Sequence, residues 1–80
     1  MSRTHARLDR ELVQAINDSH LTRVQLAALA EYAAHDQLSR QLNADEVAIT
    51  PLTIKRLRIL ADVVGHEGEL FESERGRRRG

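Results

Sequence analysis

The sequence predicts an all-α domain, a compact bundle of four to five short helices, and three observations carry that prediction. Apolar residues make up 41% of the 80-residue chain, yet Tyr32 and Phe71 are its only aromatics. A core must then be assembled from Leu, Ile, Val and Ala, which suits packed helices better than a sheet sandwich. Apolar side chains recur at helical spacing through most of the chain, and residues that start or stop helices fall where that spacing begins or ends.

In "THARLDRELVQAINDSH", Leu8, Leu12, Ala15 and Ile16 form a stripe at i, i+4, i+7 and i+8, with Arg3, Arg7 and Arg10 mostly off it. This predicts a first helix over about residues 4–18. Asn17, Asp18 and Ser19 favour a break. Thr22 with Gln25 then has the T-x-x-Q form of a capping box and starts a second helix, about residues 23–30, with Leu26, Leu29 and Ala30 as its apolar row. The row lapses from Glu31 to Asp36, as it would at a tight corner. A third helix, "HDQLSRQL", follows to about Leu42, with Asp36 near its positive end and Leu38 and Leu42 facing the core. On a helical wheel the opposite face is Asp36, Arg40 and Asn43, flanked by Gln37 and Ser39, with no apolar residue.

The segment "NADEVAITPL" reads as a connection with one helical turn, fixed to the core by Val47 and Ile49. Thr53 can cap the next helix, as can Thr50 with Pro51 at the first helical position. From there Ile54, Leu57, Ala61 and Val64 share one stripe, and Gly65 supplies a left-handed stop. Beyond it Leu70 and Phe71 are the apolar anchors, expected to dock. Residues 1–72 are thus one domain, and 73–80 a flexible, disordered Arg-rich tail.

Composition excludes several classes of function. A chain of this length buries only about 60–65% of its surface on folding and has no room for a separate catalytic domain. Without cysteine there is neither a disulfide framework nor a thiolate zinc site, and a reducing, cytoplasmic setting is expected. No apolar run approaches the roughly 18 residues of a membrane span. The four histidines, His5, His20, His35 and His66, are far apart with no H-x-x-x-H spacing, so no metal or other cofactor is expected. Ser19 beside His20 is an adjacent pair rather than a nucleophile with its base, and there is no glycine-rich phosphate loop, so no enzyme is expected. Twelve basic and twelve acidic side chains give zero formal charge, which counts against binding nucleic acid by overall attraction. Only the end is segregated, with Glu67, Glu69, Glu72 and Glu74 preceding Arg75, Arg77, Arg78 and Arg79. "RGRRRG" is either an arm adding phosphate contacts or a solubilising end.

"LTRVQLAALAEY" followed, after a short helix, by "TIKRLRILADVVG" resembles the lambda-repressor-like (Xre/Cro-type) helix-turn-helix family over roughly residues 7–65. Thr22, Leu26 and Ala27 fill the places of that family's threonine cap and Leu-Ala pair, and Leu57, Ala61, Asp62 and Gly65 match its last helix in register. Three features depart from the pattern. Glu31 stands where a corner glycine is usual, the interval from Ala27 to Leu38 is one residue longer, and "NADEVAI", with Asp45 and Glu46, replaces a basic connection.

The resemblance implies a bundle containing a helix-turn-helix whose second helix enters a major groove. It implies base contacts from Gln37, Arg40, Asn43, Asp36 and His35, where Gln suits adenine and Arg guanine. It implies phosphate contacts from Thr22, Arg23, Gln25 and Ser39. Lys55, Arg56 and Arg58 cluster near the start of the last helix as phosphate contacts, a solvated face or an intersubunit pair, and are not assigned as base readers. The expected function is a sequence-specific regulator of transcription that binds double-stranded DNA and acts by operator occupancy. A homodimer on an inverted repeat is expected, with Leu70 and Phe71 as candidates for the dimer interface. No membrane or small-molecule substrate is expected. The alternative is a helical adaptor or inhibitor of another protein that keeps the fold without DNA, and in it the polar face of the third helix is simply solvated.

Overall fold

Ala6 and Leu8 are buried while His5 and Arg7 are exposed, and that alternation marks extended chain where a helix was expected. The computed structural model describes residues 4–72, and the tail assigned to 73–80 lies outside them. Along the described residues the order is β1 (His5–Ala6), α1 (Arg10–Asp18), α2 (Arg23–Leu29), α3 (His35–Asn43), β2 (Val47–Ala48) and α4 (Pro51–Val64). The domain is therefore mostly helical with a small two-stranded sheet, not all-α.

Two corrections account for the sheet. The first helix begins at Arg10, not at residue 4, because the Asp9 carboxylate accepts hydrogen bonds from the Glu11 and Leu12 amides, each 3.1 Å, and caps it there. The helical turn expected in "NADEVAI" is instead β2, antiparallel to β1 with His5 opposite Ala48 and Ala6 opposite Val47. The Ile49 amide extends the pairing to the Thr4 carbonyl at 2.8 Å. Val47 is buried as expected, and Ile49 half-buried.

The other helix ends follow local chemistry. Thr22 and Gln25 close the full capping box of α2. Thr50, rather than Thr53, caps α4: its Oγ1 accepts from the Thr53 amide at 3.1 Å, with Pro51 in the first turn. Gly65, at φ 76°, ends α4 in the left-handed conformation expected of it.

Leu12, Ile16, Leu26, Leu38, Leu57 and Leu60 are the largest fully buried side chains, so each helix sends at least one leucine or isoleucine to the centre. Leu60 joins this core although the stripe read from sequence missed it, and Leu29, counted in the apolar row of α2, is 51% exposed. α2 packs chiefly on α3, and α1 on α4. Leu70 and Phe71 dock half-buried against the core, as expected, through a clasp to the chain ahead of α1. Leu8 and Phe71 form an isolated bridge, the Asp9 amide donates to the Leu70 carbonyl at 3.0 Å, and the Glu72 amide to the Arg7 carbonyl at 2.8 Å.

Candidate nucleic-acid interface

The corner between α2 and α3 is a helix stop built on a residue that resists it. Glu31 is at φ 66°, the one non-glycine with positive φ among the described residues. Its amide donates to the Ala28 carbonyl at 3.3 Å, and the Tyr32 amide to the Ala27 carbonyl at 2.8 Å. These two bonds close a Schellman motif, which normally takes glycine at this place because a Cβ crowds the left-handed backbone.

Contacts from α4 and α3 hold the corner. Lys55 Nζ lies 3.2 Å from Glu31 Oε1, and Arg56 Nη2 donates to the Glu31 carbonyl at 3.1 Å. The Arg56 guanidinium sits 4.7 Å from the centre of the Tyr32 ring, a cation–π contact. Tyr32 is buried, and its hydroxyl donates to Gln41 Oε1 on α3. Burial pushes the Tyr32 hydroxyl up to about 12, against the opposing pull of Arg56. Lys55 and Arg56 are thus corner residues, as are Tyr32 and Gln41, which sequence reasoning did not single out. A lone tyrosine in a stretch without periodicity was the available signal, whereas Arg56 lies 24 positions farther on.

Held this way, α3 presents His35, Asp36, Gln37, Arg40 and Asn43 to solvent, with Ser39 half-buried at the flank. Asp36, Arg40 and Asn43 recur at i, i+4 and i+7, so they form one stripe. Arg40 and Asn43 have no side-chain partner among the described residues. Gln37 Oε1 accepts from the Ala33 amide at 3.1 Å, in place of a cap that Ala34 has no side chain to make. Gln37 is exposed, and its Nε2 has no partner among the described residues. His35 Nδ1 lies 3.4 Å from Asp36 Oδ1, so these two are partly occupied with each other.

At the start of α2, Thr22 Oγ1 accepts from the Gln25 amide at 3.1 Å and Gln25 Oε1 from the Thr22 amide at 2.9 Å. Their oxygens are committed to the helix, leaving a hydroxyl proton and an amide NH₂ as donors. Arg23 is half-buried and donates to Asn17 Oδ1 at the end of α1. Asp45 and Glu46 are exposed just after α3, so acidic charge borders the far end of this face.

Among the described residues no three His, Cys, Asp or Glu side chains are grouped so as to hold a metal ion. No helix there is long and apolar enough to cross a membrane. No family model matches the chain, and neither a curated protein nor a solved structure is significantly similar to it.

Proposed function

We propose that the chain is a sequence-specific double-stranded DNA-binding regulator of transcription, of lambda-repressor-like helix-turn-helix type, acting in the cytoplasm by operator occupancy as a homodimer. The observation that carries this reading is the left-handed Glu31 corner, fixed by Lys55, Arg56 and Tyr32, from which α3 projects an exposed face without apolar residues. A helix that only covered a core would not need its outward side fixed by a charged turn and two basic residues of another helix. Arg40 and Asn43 can reach base edges, with Gln37 beside them, while Arg23, tied to α1, suits a backbone phosphate.

Two substitutions test it because they fail differently. Arg40→Ala is expected to cost about 1–3 kcal/mol on the preferred site, enriched from pooled genomic duplexes, and to flatten preference at one base position. Arg23→Ala is expected to weaken all sequences alike and to reduce the salt slope by roughly one contact. Titrations of matched and scrambled duplexes at several salt concentrations read both. Absence of any salt-dependent DNA binding overturns the proposal. The second reading, an adaptor for another protein, is favoured by the exposed Val24 and Leu29 on α2 and by zero formal charge.

A further inference from the structure

Leu52, Lys55, Ile59 and Asp62 recur along α4 at i, i+3, i+7 and i+10, the spacing of a stripe that packs against another helix. This stripe lies opposite the buried Leu57 and Ala61, and the described chain leaves it open. Leu52 is 52% exposed, Lys55 and Asp62 are exposed, and Ile59 is half-buried. A groove of about 550 Å³ runs between Pro51, Ile54, Lys55, Arg58 and Ile59. A second, of about 620 Å³, shares Ile54 and Arg58 and continues past Ala61 and Asp62 to Leu70 and Phe71. The charges are ordered along the stripe, cationic toward its start and anionic toward its end.

We propose that this face receives a second copy of the chain, α4 packed antiparallel on α4 about a two-fold axis beside Ile59. The proposal names the surface of the homodimer suggested above and rests on that reading for its role. Its basis is charge complementarity in one register. An isologous contact repeats each residue pair twice, so a face suits it when it complements its own inverse. With the axis midway between Arg58 and Ile59, Lys55 and Asp62 lie equally far on either side, about 5 Å along the helix. Lys55 then stands opposite Asp62 of the second copy, and Asp62 opposite its Lys55. Ile59 meets Ile59 of the second copy at the centre, and Leu52 lies toward each end of the contact.

In the monomer the Asp62 carboxylate is unpaired among the described residues, and Lys55 is held only by a surface pair that the dimer would exchange. Lys55 pairs with Glu31, but between side chains 58% and 60% exposed, a surface pair weak enough to be exchanged. Leu70 and Phe71, at the edge of the second groove, then border the contact without forming its centre.

Sedimentation equilibrium without DNA tests the register, using wild type, Lys55→Glu, Asp62→Lys, the double variant and a 1:1 mixture of the two single variants. Wild type is expected to dimerise at about 100 µM, and each single variant to weaken association at least about tenfold, because like charges then oppose each other. The mixture and the double variant are expected to recover dimers, since opposite charges again face each other across the axis. Lys55 and Asp62 are about 10 Å apart along one helix, so recovery cannot arise within a copy. Circular dichroism establishes that each variant keeps its helices. A monomeric wild type, a dimer indifferent to the single changes, or a mixture that fails to recover overturns the proposal. Dimerisation is read apart from DNA, so loss of DNA binding with the dimer intact would overturn only the function proposed above.

Discussion

Tyr32 makes three contacts from one position: its amide closes the end of α2, its ring receives Arg56 from α4, and its hydroxyl reaches Gln41 on α3. Burial keeps the phenol of the folded chain protonated up to about 12, above its ordinary 10.0. Below pH 10 both folded and unfolded chains carry the proton, and the full stability is present. Between 10 and 12 the unfolded chain releases its proton first, so stability falls, by roughly 2–3 kcal/mol once the folded phenol has also ionised. Urea denaturation from pH 8 to pH 11.5 is expected to show this fall in wild type and a shallower one in Tyr32→Phe, which at neutral pH is already weaker by about 1 kcal/mol. Parallel curves for the two proteins would contradict it. Nothing within a few residues of Tyr32 announces this role, because its partners come from other helices. Arg40 and Asn43, by contrast, were legible as exposed residues since helical spacing alone sets them opposite Leu38 and Leu42.

Local chemistry decided which helix ends could be read. The capping box at Thr22 and the Gly65 stop are satisfied by atoms within a few residues, and the structure has both. The start of α1 was misjudged because Leu8 fits two periods, four residues before Leu12 and two after Ala6, and Asp9 decides between them. Strands two residues long carry no period of their own, and β1 needs β2, some forty positions away. The corner is where residue choice and backbone disagree most. Glu31→Gly removes the left-handed penalty of about 1–2 kcal/mol but loses a surface ion pair and gains freedom when unfolded, so a net stabilisation of about 0.5 kcal/mol is expected. Glu31→Val, β-branched at the same φ, is expected to cost about 1–2 kcal/mol. Urea midpoints that moved the same way for both would show that the backbone at this corner is not what limits stability.

Over the entire molecule, the neutral charge balance hides a division of labour among basic residues. Lys55 and Arg56 are spent on the corner, Arg23 is tied to α1, and Arg40 and Arg58 have no side-chain partner among the described residues. Of these five, Arg40 and Arg58 can meet a partner without first breaking a contact, one on the α3 face and one beside the α4 groove, and the exposed Arg7 and Arg10, ahead of and at the start of α1, are likewise without a side-chain partner among the described residues. Net charge in the sequence could not show this, because it counts every arginine alike.

The clasp between residues 7–9 and 70–72 bears on the order in which the chain folds. The backbone bonds that close the corner span five residues or fewer and the Tyr32–Gln41 contact spans nine, while the Lys55 and Arg56 contacts that hold it from α4 span 24 and 25. The clasp joins segments more than sixty positions apart, and His66, whose Nε2 donates to the Glu69 carbonyl at 2.9 Å and lies 3.7 Å from Asp9 Oδ2, sits at the same junction. Long loops close at greater entropic cost, so the α2–α3 pair is expected in the transition state and the clasp after it. In stopped-flow chevrons at concentrations too low for association, Leu38→Ala is expected to slow refolding, whereas Phe71→Ala leaves refolding nearly unchanged and accelerates unfolding. The reverse pattern would make the clasp the nucleus. With the expected one, loss of the clasp shortens the lifetime of the native state while the corner and α3 still form at their usual rate.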